Sequence, residues 1–225
     1  MKWLTADGLV AAAAVGAAVW IGLAARGEVL LFAFFLSGSI LTQVAGGGGG
    51  RRNARQVLAN GGVAALAALL GSWTAAAGAL AAATADTWAT EIGSFSPAPP
   101  RRITTLEPMP AGASGGITLL GTAGGAAGAA ALGGLAVALR PGTGFWILAA
   151  AGVLGMAGDS LLGATLQGVF RCPGCGARFE DRRAACHAPL ERSRGWRWLD
   201  NDGVNLAATL VGAGGALLFS RWLSR

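Results

Sequence analysis

The sequence predicts an all-α, polytopic transmembrane bundle of about seven helices with a cytoplasmic N-terminus. Three observations predict it. Of 225 residues, 53% are hydrophobic and only 12% charged, and mean hydropathy is +0.54. Soluble domains carry about 25% charged residues, so a typical soluble enzyme, a disordered chain and a disulfide-stapled mini-protein are excluded. The apolar residues come in blocks close to the roughly 20 residues that cross a bilayer, and most charges fall between the blocks. Residues 1–225 read as one integral membrane domain, with a cytoplasmic cysteine-containing loop over 169–202.

Residues 8–25 and 29–45 form the first two spans. The first is not read as a cleavable signal, because Arg26-Gly27-Glu28 leads straight into another apolar run. Residues 57–71 and 74–92 are the third and fourth spans, joined by Ser72-Trp73, and the third is short. Residues 116–139, 143–168 and 204–222 complete the set. The abundant Ala and Gly suit close helix packing in lipid.

Sidedness follows from the basic residues. Alternate loops hold Lys2, then Arg51, Arg52 and Arg55, then Arg101 and Arg102, then seven Arg between Arg171 and Arg197. That is 13 of the 17, against Arg26, Arg140, Arg221 and Arg225 on the other side. The positive-inside rule puts the N-terminus and the three long loops in the cytoplasm, in a bacterial inner membrane or its equivalent. Lys2 is the one lysine, so any phosphate-binding cation here is an arginine. The net charge of +6 reads as a phosphate-binding surface beside an anionic leaflet, not as nucleic-acid binding.

The polar residues gather at the cytoplasmic ends of the spans. Glycines 46–50 precede Arg51, Arg52, Asn53 and Arg55, with Asn60 inside the next span. A glycine run before a helix start admits an anion to backbone N–H groups, and guanidinium groups supply bidentate phosphate donors. Juxtamembrane arginines also meet anionic lipid heads. Asp86 and Glu91 close the fourth span, and acids there need a partner, a metal or water. Five residues apart, they point about 140° from each other on a helix, so Asp86 is the stronger metal candidate. Glu91 can instead reach the interface, hold an arginine or bind a second ion. Ser114-Gly115-Gly116 reads as the opening of the fifth span, an anion site with a capping hydroxyl. Asp159 lies inside the sixth span between Gly155 and Gly163, where a carboxylate has no inexpensive structural explanation. Asp202 enters the last span as an N-cap or a site residue, with Asn205 one turn further in.

The loop offers Cys172, Cys175, Cys186 and His187. The Cys-Pro-Gly-Cys turn resembles a zinc knuckle, so a closed Cys3His zinc site is available, structural rather than catalytic. Free thiols in a reducing compartment are the alternative. A single histidine gives little support to Ser-His or Cys-His nucleophilic chemistry.

Carboxylates, arginines and glycine-rich helix starts on one membrane face are the parts of a Mg²⁺-nucleotide site. They suggest phosphoryl or nucleotidyl transfer to a lipid entering between small-residue helices. The runs 52–61, 85–93, 114–116, 159–167 and 201–205 resemble the membrane family containing transmembrane protein 19 and the plant and cyanobacterial phytyl-phosphate kinase. The resemblance covers the chain from about residue 30 to its end. It implies Mg²⁺-dependent transfer of a nucleotide γ-phosphate (from CTP, UTP or ATP) to a prenyl monophosphate. It carries over Arg52, Asn53, Arg55, Asn60, Asp86, Glu91, Ser114, Asp159, Asp202 and Asn205. The resulting assignment makes Asp86, Glu91 and Asp159 catalytic, and Asp86, Asp159 and Asp202 the Mg²⁺ ligands. Arg51, Arg52, Asn53, Arg55, Asn60, Ser114, Gly115 and Asn205 bind nucleotide or phosphate. A lipid cytidylyltransferase would use the same parts and release pyrophosphate. A transporter or channel would need polar residues at midplane or on both faces, and here they gather at one.

Overall fold

The structure, a computed structural model, describes residues 3–46, 50–180 and 184–223. Its helices are α1 (Ala6–Val44), α2 (Ala54–Leu69), α3 (Trp73–Gly93), α4 (Leu119–Leu139), α5 (Phe145–Thr165) and α6 (Asn201–Leu223). Of these, α1, α4, α5 and α6 are long and apolar enough to cross a membrane. About seven helices were expected, and six are formed among the described residues. The difference lies in α1, where Ala24 leaves helical geometry at φ 53° and ψ −153°. The chain folds back there. Trp3 meets Phe35 edge-on at 5.7 Å, and a Cβ on Gly16 would sit 3.8 Å from Glu28. The two arms of α1 therefore lie side by side.

α3 is the central helix, and every residue from Trp73 to Ala85 except Thr74 is buried. Its Ala, Gly and Thr content keeps it from standing out as apolar, yet suits a position ringed by α1, α2, α4, α5 and α6. Backbones approach closely around it. A Cβ on Gly78 would fall 2.5 Å from the Gly212 carbonyl oxygen, and one on Gly212 would fall 2.5 Å from that of Gly78. The large apolar side chains point outward instead, among them Val10, Ile21, Phe32, Leu119 and Leu218. Small residues inside and large ones outside is the arrangement a lipid solvent favours.

The bundle has two distinct ends. At one, Thr5 N–H donates to Arg52 O at 3.1 Å, Arg55 meets Asp200, and Ser114 meets Glu180. The N-terminus and the three long loops thus share this polar end. The other end carries the Ala24 fold-back, the Gly71 turn and the Arg140–Gly144 turn. Exposed Trp196 and Trp198 flank the polar end, and exposed Trp20, Trp146 and Trp222 lie toward the opposite one, as in interfacial aromatic belts.

The polar loops are not wholly irregular, as an all-helical reading implied. β1 (Arg101–Arg102) pairs antiparallel with β2 (Gly116–Ile117). β3 (Val169–Arg171) pairs antiparallel with both β4 (Arg178–Phe179) and β5 (Glu191–Arg194), in the order β4-β3-β5. β2 also corrects the expected fifth span. The helix starts at Leu119, capped by Thr118 Oγ1 accepting from Gly121 N at 2.9 Å, so Ser114 lies before the strand.

Candidate functional site

The polar end divides into two centres, one on each side of α3. The first surrounds Arg52. Its backbone is pinned by the N-terminal segment, with Arg52 N–H donating to Trp3 O at 3.0 Å. A Cβ on Gly8 would collide with the Arg52 carbonyl oxygen at 2.3 Å, so the segment closes only with glycine there. The guanidinium donates to Ser39 Oγ at 2.7 Å and lies 5.8 Å from the centre of the Phe35 ring. Burial pulls its pKa below the ordinary value, and the Glu91 carboxylate works in the opposite direction. An arginine remains cationic under either influence. Glu91 accepts from Thr42 Oγ1 at 2.6 Å, which ties the end of α3 to α1.

Arg52 lines a cavity of about 220 Å³ between the arms of α1 and α2. Its walls include Ala12, Val15, Leu31, Phe34, Phe35 and Val57, and its polar lining is Arg52, Gln56, Asn60, Thr87 and Glu28. Asn60 Nδ2 donates to Gln56 O at 3.0 Å. The Glu28 Oε1 atom is buried without a hydrogen-bond partner among the described residues.

The α2 start does hold an anion, supplied by the protein itself. Asp7 Oδ2 accepts from Ala54 N at 3.0 Å, where the macrodipole favours negative charge. Asn53 and Gln56 close a capping box, which uses the Asn53 carboxamide oxygen. Arg55 is turned to α6, with Nη2 2.7 Å from Asp200 Oδ2 and Nε 3.6 Å from Asp202 Oδ2. Asp200, not Asp202, caps α6, accepting from Gly203 N at 3.1 Å. Arg51 is exposed. Asn205 is half-buried on α6, one turn before Thr209, whose hydroxyl donates to Ala59 O on α2 at 3.2 Å. Glycines 47–49 of the expected anion loop lie outside the described residues.

The second centre is acidic. Asp86 and Glu180 both bear electrostatically on Asp159. The Asp159 Oδ2 atom is buried with no hydrogen-bond partner among the described residues. Paired carboxylates in an apolar bundle require a cation or a shared proton. Asp202 sits beside Arg55, its Oδ2 3.6 Å from Arg55 Nε.

Glu180 is the residue that sequence reasoning missed. It accepts from Ser114 N at 2.8 Å, Ser114 Oγ at 2.6 Å and Gln167 Nε2 at 3.0 Å. Ser114, expected to open a helix and bind an anion there, instead lies before β2 and donates to this carboxylate. Gly115, at φ +83°, presses the loop onto α5, where a Cβ would meet Ala164 N at 2.4 Å. Arg194 donates to Gly163 O at 3.0 Å and to Ala164 O, and Arg102 reaches Ala164 O at 3.5 Å. Cations at a helix C-terminus are favoured by its dipole. Burial lowers the Arg194 pKa, with Arg102 adding to the effect and Glu180 opposing it. The wholly buried Gln167 was legible within the run 159–167, but nothing marked Glu180, an acid among arginines in a polar loop.

The cysteine group forms as expected. Cys172, Cys175, Cys186 and His187 offer ligand atoms that all lie within 4.8 Å of one another, close enough to hold a metal ion. Cys175 Sγ and Cys186 Sγ are 3.4 Å apart, and Cys186 Sγ and His187 Nδ1 3.5 Å. Burial raises the Cys172 pKa, but hydrogen bonds from Cys175 N–H, the Cys186 thiol, Gly174 N–H and Ala188 N–H outweigh it and bring the value to about 6. Cys186, hydrogen-bonded to Cys172 and then Cys175, is pushed up to about 11.

Residues 1–213 match the family described as Integral membrane protein DUF92. Protein PGR of Arabidopsis thaliana is 32% identical, over 81% of this chain and 77% of its own length. The uncharacterized membrane protein MJ0933 of Methanocaldococcus jannaschii is 30% identical, over 82% of this chain and 72% of its own. Neither name states an activity. No solved structure matches the chain.

Proposed function

The chain belongs to the integral membrane protein family DUF92, and from that premise we propose that it is a Mg²⁺-dependent prenyl-phosphate kinase of the cytoplasmic membrane face. The reaction moves the γ-phosphoryl group of a nucleoside triphosphate onto a phosphate oxygen of a prenyl monophosphate. A P–O–P bond forms, the β–γ bond breaks, and the nucleoside diphosphate leaves.

The observation that carries the reading is the Arg52 cavity. Apolar walls with a guanidinium, two carboxamides, the Thr87 hydroxyl and the Glu28 carboxylate in the lining suit an amphipathic anion whose phosphate sits at Arg52 and whose chain lies among Val15, Leu31 and Phe34. Asn60 and Arg52 take its phosphate, and the Ser39 hydroxyl and the Phe35 ring hold Arg52 in place. Magnesium suits the other centre, because Asp159 has an unpartnered buried oxygen beside Asp86 and Mg²⁺ prefers one or two carboxylates with phosphate oxygens. When bound, it would neutralise charge on the transferring phosphate. Adjacent on α3, Asp86 and Thr87 point about 100° apart, so one helix end serves both centres. Arg51, Ser114, Gly115 and Asn205 remain assigned to the nucleotide. Asn53, engaged in a cap, and Arg55, engaged in an ion pair, belong with them, and Asp202 is the third Mg²⁺ ligand. Zinc is the ion of the Cys3His group, in a structural role.

The test incubates purified protein with phytyl or geranylgeranyl phosphate, Mg²⁺ and each nucleoside triphosphate in turn. Lipid diphosphate with nucleoside diphosphate is the expected product pair. Pyrophosphate would move the case to a lipid cytidylyltransferase. Folded protein that turns over none of these substrates would reject both.

A further inference from the structure

Glu180, which accepts from Ser114, lies in sequence between the two halves of the cysteine group. Cys172 and Cys175 lie in the turn between β3 and β4, where Gly176 N–H donates to Cys172 O at 2.8 Å and Cys172 N–H to Ala177 O at 2.9 Å. Glu180 follows β4 directly. Cys186 and His187 come after it and return to the same point. A tetrahedral zinc with Zn–S bonds of about 2.3 Å places its ligand atoms roughly 3.8 Å apart. The 3.4 Å and 3.5 Å separations are close to that edge, from a group that nothing else in the structure ties together covalently.

We propose that zinc at Cys172, Cys175, Cys186 and His187 ties the β3–β4 turn to Cys186 and His187 and so seats Glu180 on Ser114. Glu180 is a positioning residue. It fixes the 113–116 loop against the end of α5 and adds a third negative charge to the Asp86–Asp159 pair. Among the described residues, the two residues of β4 and three hydrogen bonds carry the carboxylate when the clamp is absent. Loss of the ion therefore loosens a site that no zinc ligand touches. The role assigned to that site rests on the phosphotransfer reading, but the clamp itself does not.

The experiment uses the full chain, purified without a histidine tag. Zinc is measured by elemental mass spectrometry, and backbone hydrogen exchange is followed in peptides covering 113–117. One zinc per chain is expected, replaceable by cobalt with the spectrum of a tetrahedral thiolate site. Cys175→Ser and His187→Asn should each lose the metal while keeping helical content. Stripping zinc from the wild type should speed exchange at Ser114 about tenfold, and adding it back should restore protection. Glu180→Gln should keep the zinc and still show the faster exchange. Metal-free wild type, a Cys175–Cys186 disulfide, or unchanged exchange at 113–117 after stripping would each overturn the clamp. None of these readouts uses turnover, so failure of the kinase assay leaves them interpretable.

Discussion

Asp159 shows most clearly how one residue carries both a cost and a use. Its Oδ2 atom is buried and unpartnered, and Asp86 and Glu180 add like charge. An acid kept under such conditions is a functional candidate by default. Asp159→Asn removes the repulsion, so the metal-free protein should melt no lower than wild type in a detergent-based thermal scan. The same change should lower kcat roughly a hundredfold or more. Asp86→Asn should behave alike. If either variant is fully active, the metal assignment fails. Arg55 makes the opposite case. It is about half exposed, its side-chain accessibility being 53%, and exposed ion pairs contribute below about 1 kcal/mol. Polar type alone made Arg52 and Arg55 equivalent phosphate ligands. Their surroundings separate them, because one is half-buried at a cavity and the other faces two aspartates across α6.

At the scale of the element, the close approaches around α3 decide tolerance to substitution. Gly78→Leu drives a side chain into the backbone of α6 and should destabilise the protein by about 1–3 kcal/mol or more. Gly214 is a control within the partner helix, because a Cβ there meets nothing within 4 Å. Gly214→Ala should be neutral or raise stability by up to about 1 kcal/mol. Detergent melts of both variants compare them directly. The fold-back in α1 bears on stability too. Ala24 holds φ 53°, where an L side chain is strained, so Ala24→Gly should add about 1 kcal/mol. A lower melting temperature for that variant would show that the turn is not strained. The long apolar helices α1, α4, α5 and α6 were legible because apolar runs are local. The start of α4 was misplaced by three residues because Ser114 and Thr118 are equally good caps, and only the pairing of β1 with β2 chooses between them.

For the whole molecule, the reading of sidedness and the geometry meet at the polar end. Reporter fusions after Gly112 and after Ala188 should score cytoplasmic, and fusions after Gly71 and after Gly142 should score on the opposite side. A split between Gly112 and Ala188 would break the topology. Composition, the lengths of apolar runs and the distribution of arginines by themselves determined a membrane bundle with its polar residues on one face. Those properties depend on near neighbours and on transfer to lipid, which a sequence displays directly. The tertiary structure alone decided which charge meets which. Both anion-accepting loop starts, at Ala54 and Ser114, are filled by carboxylates from distant segments, Asp7 and Glu180. A backbone N–H accepts any anion that the fold brings within reach. The sequence marked these segments as candidates for anions, and only the folded chain reveals that it supplies carboxylates there itself.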